Sequence, residues 1–117
     1  MALPIEKLEQ LIGLDPHDPA LFLALGQAYS EAGRLMEAVA ALEKAVALNP
    51  QYTAAYWPLG KTLEAASRVA DAMEVYERGL AVGEQTHDAI PIQKMRARLN
   101  RLRKQNKPSS PDIISGQ

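Results

Sequence analysis

The sequence contains no cysteine, which excludes disulfide bridges and thiolate metal sites. Aromatic residues make up only 5% of it, with one tryptophan and one phenylalanine, so a surface for stacking nucleic-acid bases has little to draw on. No apolar run approaches the roughly 20 residues of a membrane-spanning helix, and no basic stretch leads into an apolar one at the N-terminus. The expectation is a protein of a bacterial-type cytoplasm with no membrane contact. Chemistry is equally thin: there is no glycine-rich phosphate loop, no nucleophile beside a base, and no histidine–carboxylate cluster at ligand spacing. No catalytic residue, metal or cofactor is therefore expected, and the chain does not read as an enzyme. His17 lies between Asp15 and Asp18 in a short connection, but the flanking Pro16 and Pro19 fix a turn and no second histidine is near.

What is present is charge, unevenly placed. Residues 1–88 hold six Lys/Arg against thirteen Asp/Glu, a net of −7, whereas residues 89–117 hold seven against one, a net of +6. The two blocks nearly cancel in the overall value of −1.

The chain also repeats itself. Phe22, Leu25, Gly26 and Tyr29 fall at helical i, i+3, i+4, i+7 spacing and make one apolar stripe with a notch at Gly26, where another helix can approach closely. Gly33 offers a left-handed helix terminus. Leu35, Ala38, Val39, Leu42, Ala45 and Val46 then resume the helical period until Asn49-Pro50. A shift of 34 residues returns the same order: Tyr56, Leu59, Gly60 and Leu63, then Ala72, Met73, Tyr76, Gly79 and Leu80. Subtracting the same shift aligns Leu8 with Leu42 and Pro16 with Pro50, so residues 3–14 read as the second helix of a repeat whose first helix is missing. The period slips by two after the second copy, which places Ile92, Met95 and Leu99 where Phe22, Leu25 and Tyr29 stand. In the second copy Pro58 cannot donate to the carbonyl of Ala54, so that helix is expected to begin late or bend. Gly83 reads as the terminator of the helix that follows, with Glu84 to Asp88 as the next connection.

In this order of residues the chain resembles the tetratricopeptide repeat family, in its small bacterial form. The first copy carries the resemblance through Phe22, Leu25-Gly26, Tyr29, Ala38, Leu42, Ala45 and Pro50. The second departs from it at Ser67, which replaces the turn glycine, at Glu84, which replaces the terminal proline, and at Pro58. The implied fold is an all-α superhelix of about six helices. Its expected parts are a half-repeat cap (1–16), two repeats (19–52 and 53–86), a basic capping helix (88–106) and a disordered tail (107–117).

The implied function is protein–protein interaction. First helices of stacked hairpins line a groove that takes a peptide or helix, as an adaptor or co-chaperone-like accessory. The groove residues expected here are Leu23, Gln27, Ser30 and Glu31, then Trp57, Lys61 and Glu64, and finally Gln93, Ala97, Asn100 and Arg101. Trp57 and Leu23 are the expected anchors. Some relatives grip a chaperone's C-terminal carboxylate through Lys, Asn and Arg side chains. The corresponding places here hold Leu23, Gln27, Pro58, Ile90 and Lys94, of which only Lys94 suits. The basic patch of Lys94, Arg96, Arg98, Arg103 and Lys104 supports an alternative, contact with nucleic acid or another acidic surface, although nucleic acid is the less expected partner. A homodimer stays open.

Overall fold

The computed structural model describes residues 3–105, and the expected disordered tail at 107–117 lies outside them. Among the described residues the regular structure is six helices: α1 (Ile5–Leu14), α2 (Pro19–Glu31), α3 (Leu35–Leu48), α4 (Thr53–Ala65), α5 (Val69–Thr86) and α6 (Ala89–Gln105). Each packs on its sequence neighbours, and the first helices of successive hairpins also touch, α2 on α4 and α4 on α6.

Glycine notches set the closeness of these contacts. A Cβ added at Gly26 would lie 2.5 Å from Cγ of Leu42, and one repeat later a Cβ at Gly60 would lie 2.1 Å from Cε1 of Tyr76. The same seam thus recurs between α2 and α3 and between α4 and α5. Around the first, Leu8, Leu25, Tyr29, Ala38 and Ala41 form a small core that ties in α1. The larger core runs from Val39 and Leu42 through Tyr56, Leu59, Leu63 and Tyr76 to Met95, Leu99 and Leu102. Met95, Leu99 and Leu102 are buried, as the two-residue slip requires.

The C-terminal ends of α2 and α4 follow one recipe. Gly33 takes a left-handed φ of 77°, and the next N–H, of Arg34, donates to the carbonyl five residues back, on Tyr29. Ser67 repeats this at φ 63°, with Arg68 donating to Leu63, even though serine has no steric freedom there. At the start of α2, Asp18 Oδ1 accepts the N–H of Ala20 at 2.9 Å and Pro19 occupies the first helical position.

Two expectations are corrected. Gly83 does not end α5, which continues to Thr86 and stops at His87 in the left-handed region, where Asp88 N–H closes back on the Gly83 carbonyl. Gly83 is instead a notch, as is Gly79 one turn earlier: a Cβ at Gly83 would sit 2.6 Å from Cγ1 of Ile92 and one at Gly79 2.5 Å from Sδ of Met95, so the two glycines admit α6. The slip has its cause here, since α5 is four residues longer than α3 while the connection after it, 87–88, is two shorter than 49–52. Of the two outcomes expected from Pro58, a late start or a bend, the late start does not occur, since α4 begins at Thr53. Its first turns are anchored independently of the missing N–H: the Tyr56 hydroxyl donates to the Pro50 carbonyl at 2.6 Å, and the Thr53 and Thr86 hydroxyls lie 3.0 Å apart.

Candidate functional site

The first helices form one side of the molecule, and two clefts open on it. Between α2 and α4 a cleft of about 500 Å³ is lined by Gln27, Ser30, Glu31, Ala54, Trp57, Pro58, Lys61 and Thr62, with Leu42 at its floor. Between α4 and α6 a smaller one, about 160 Å³, is lined by Trp57, Lys94, Ala97, Arg98 and Arg101. Trp57 belongs to both. Its ring lies 5.8 Å from that of Tyr76 and rests half-buried against the main core, while Nζ of Lys61 stands 5.1 Å and Nζ of Lys94 5.9 Å from the ring centre. Such cation–π contacts contribute about 0.5–1 kcal/mol at exposed positions, enough to bias both ammonium groups toward the indole.

Of the residues expected in the groove, Gln27, Ser30, Glu31, Trp57, Lys61, Ala97 and Arg101 line these clefts. Leu23 does not: it is half-buried against the main core, because the α2 face that carries it leans onto neighbouring helices. Gln93 and Asn100 are exposed on α6 outside both clefts. Glu64 is turned inward. Its carboxylate accepts from Nε of Arg98 at 2.8 Å and from the Tyr76 hydroxyl at 2.6 Å, with its side chain only 10% exposed. Burial alone would raise the Glu64 carboxyl, but the bonds from Arg98 and Tyr76 outweigh it and hold the group below the usual carboxylate range. Burial and the bond to Glu64 push the Tyr76 phenol well above its ordinary value, so it stays a donor.

The basic patch is likewise divided. Arg98 is spent on Glu64, Arg103 pairs with Glu77 at 2.8 Å, and Arg96 lies 3.7 Å from Glu84. Lys94, Arg101 and Lys104 have no acidic partner among the described residues. Lys94 and Arg98 line a cleft although they are expected only as basic patch, Leu42 although expected only as core, and Ala54, Pro58 and Thr62 are lining residues not expected as groove members. Ala54 and Lys61 stand one helical turn on either side of Trp57 and Pro58, so extending the Trp57 stripe by a turn each way would have located most of them.

Charge also sorts by helix. The first helices α2, α4 and α6 carry seven Lys/Arg against two Asp/Glu, a net of +5, and the second helices α1, α3 and α5 carry three against eight, a net of −5. All of the positive surplus sits on α6, at +6, with α4 neutral and α2 at −1, so the α4–α6 cleft opens beside a cationic helix while the α2–α4 cleft holds one acid, Glu31, and one base, Lys61. On the side of the second helices, a furrow of about 290 Å³ over Leu59 and Leu63 is rimmed by Glu43, Arg68, Asp71, Glu74 and Arg78, where opposite charges compensate one another. Among the described residues, no group of three or more His, Asp and Glu side chains could hold a metal ion, and no helix is long and apolar enough to cross a membrane.

A family model described as tetratricopeptide repeat matches residues 23–86, more than half of the chain. The chain belongs to the tetratricopeptide repeat family. Tetratricopeptide repeats typically serve protein–protein interaction and are not usually catalytic. Among solved structures, a protein from Bordetella parapertussis superposes with a TM-score of 0.75 at 28% identity, over 90% of this chain and 91% of that one. A tetratricopeptide repeat domain protein from Salinibacter ruber gives 0.71 at 27% identity, over 77% and 91%. The TPR2B domain of yeast Sti1, solved in its pHsp70 complex, gives 0.80 at 17% identity, over 86% and 81%. This last likeness is one of fold alone. No curated protein matches the chain.

Proposed function

We propose that this tetratricopeptide repeat protein is a recognition module that takes a peptide or helix of another protein along the clefts of α2, α4 and α6, in an adaptor or co-chaperone-like role. The observation that carries the reading is Trp57, a half-buried indole shared by two adjoining clefts and held in place by Tyr76. A fixed aromatic surface gives a partner's apolar side chain contact area at little entropic cost, and tryptophan is enriched among residues that dominate binding energy. The Sti1 domain lends support, since a chain of this fold is there solved with pHsp70. Contact with nucleic acid through α6 is the weaker reading, because Arg96, Arg98 and Arg103 already face Glu84, Glu64 and Glu77.

The test is selection of binders from a display library of random peptides, followed by titration of the selected sequences with wild type and with Trp57→Ala. The substitution is expected to weaken binding by at least about 2 kcal/mol while the far-ultraviolet circular dichroism stays unchanged. Equal affinity for both proteins would remove Trp57, and with it the groove, from the reading.

A further inference from the structure

We propose that the occupant of the groove is an internal acidic segment: an apolar side chain laid against Trp57, flanked by carboxylates that meet Lys61, Lys94 and Arg101. This rests on the reading above and adds the chemistry of the partner. Lys61 and Lys94 both lie within 5.9 Å of the indole centre, and neither forms a salt bridge among the described residues, although the charge of Lys61 also acts on the Glu64 carboxylate. Arg101 lines the same cleft as Lys94, also without a salt bridge among the described residues. Arg98 is the remaining cation of that cleft, and its charge is already balanced by Glu64. What the groove offers around Trp57 is thus three positive charges without a salt bridge, of which Lys61 alone is partly offset, by the nearby Glu64 carboxylate.

The one acid in the lining of the two clefts is Glu31, in the cleft that also holds Gln27 and Ser30. The groove is therefore polarised, with its acid on α2 and its free cations on α4 and α6. A bound segment places its carboxylates toward α6. The +6 of α6 and the −5 of the second helices act in the same sense at longer range, drawing an acidic partner to the α6 side of the groove and repelling it from the far side. These cations are solvent-exposed, so each pair formed with the partner is individually weak and screened by salt, and selectivity comes from several acting together within a Debye length of about 10 Å.

The 117-residue chain reports on its own groove, because Trp57 is its only tryptophan. Short end-blocked peptides, each a central leucine flanked by Glu, by Gln or by Lys, are titrated while Trp57 emission is followed at low and high salt. The Glu-flanked peptide is expected to bind about tenfold more tightly than the Gln-flanked one, the sum of two or three weak ion pairs, with the difference shrinking in high salt. The double variant Lys61→Gln/Lys94→Gln should abolish most of that difference, read as the ratio of the two affinities within the variant, and an undiminished ratio would overturn the role of these two cations. If the Glu- and Gln-flanked peptides bind equally, the acidic segment is wrong while the groove reading stands. If no peptide perturbs Trp57, both fall. A peptide-free emission that changes on dilution would make a second copy the occupant, and one that changes with Ile113→Ser would make it the chain's own C-terminal segment. Either result overturns the proposal, as does a single-stranded oligonucleotide that binds at Trp57 more tightly than the Glu-flanked peptide.

Discussion

Replacing Gly60 with alanine adds one methyl group and should cost this protein more than most single substitutions. In a helix interior the change by itself favours the folded state by about 1 kcal/mol, since alanine has the better helix propensity. At Gly60 the new Cβ would stand 2.1, 2.5 and 2.7 Å from Cε1, Cζ and Cδ1 of Tyr76, the flat edge of a ring rather than the loose end of a side chain. That ring has no free direction. It is fully buried, it abuts Trp57, and its hydroxyl is fixed to Glu64, which is in turn held by Arg98. Relief requires either separating α4 from α5 or breaking the Glu64 link, so overpacking at the high end of about 1–3 kcal/mol applies and outweighs the propensity gain. The net expectation is destabilisation by about 1–2 kcal/mol, or roughly 4–16 °C in melting temperature for a domain of this size. Gly13 serves as the control. Nothing lies within 4 Å of a Cβ added there, so Gly13→Ala should stabilise by about 0.5–1 kcal/mol. Urea unfolding followed by circular dichroism measures both. A Gly60→Ala protein as stable as wild type would refute the closeness of the α4–α5 seam and the rigidity assigned to Tyr76.

Three further outcomes follow from the geometry. Ser67→Gly should raise stability by about 0.5–1 kcal/mol in the same urea assay, because it removes the left-handed strain of a serine at φ 63° at the smaller entropic cost of a glycine. Glu64 has its carboxyl depressed in the folded state, so the unfolded chain takes up that proton first. The stability it contributes is full above the ordinary carboxylate value and lost as pH falls through the folded one. Between about pH 5 and 3 the urea midpoint of wild type should therefore drop more steeply than that of Glu64→Gln, and parallel curves would deny Glu64 the role. Gly26→Leu should destabilise by about 1–3 kcal/mol, since even a Cβ at Gly26 meets Leu42 at 2.5 Å.

The fold was legible because its signal is doubled. A stripe such as Phe22, Leu25, Gly26, Tyr29 is ambiguous alone, but its return at Tyr56, Leu59, Gly60, Leu63 fixes both the helices and the seam between them. Gly83 was misread for a physical reason: glycine serves a helix terminus by its backbone and a close contact by its missing side chain, and sequence does not say which. His87 supplied the terminus instead, a residue with no such advertisement. At the site, Trp57 and Lys61 were legible from helical phase, whereas the coupling of Glu64 to Arg98 was not, since each reads alone as an exposed charge. The two stand 34 residues apart on neighbouring first helices, and because of the two-residue slip Arg98 is not at the place equivalent to Glu64, so the repeat alignment does not pair them. Leu23 failed as an anchor because an apolar residue beside a stripe reads the same whether the next helix covers it or leaves it open.

The central claim is that the occupied face of this tetratricopeptide repeat protein is the one built by α2, α4 and α6 around Trp57. Amide and indole chemical-shift mapping by nuclear magnetic resonance, with the end-blocked Glu-flanked peptide as probe, tests it most directly. The account predicts that shifts concentrate at Gln27, Ser30, Lys61, Ala97 and Arg101 and at the single indole N–H, with Ala40, Lys44, Glu74 and Arg78 on the second helices unmoved. Shifts confined to α3 and α5, with the indole signal still, would contradict it.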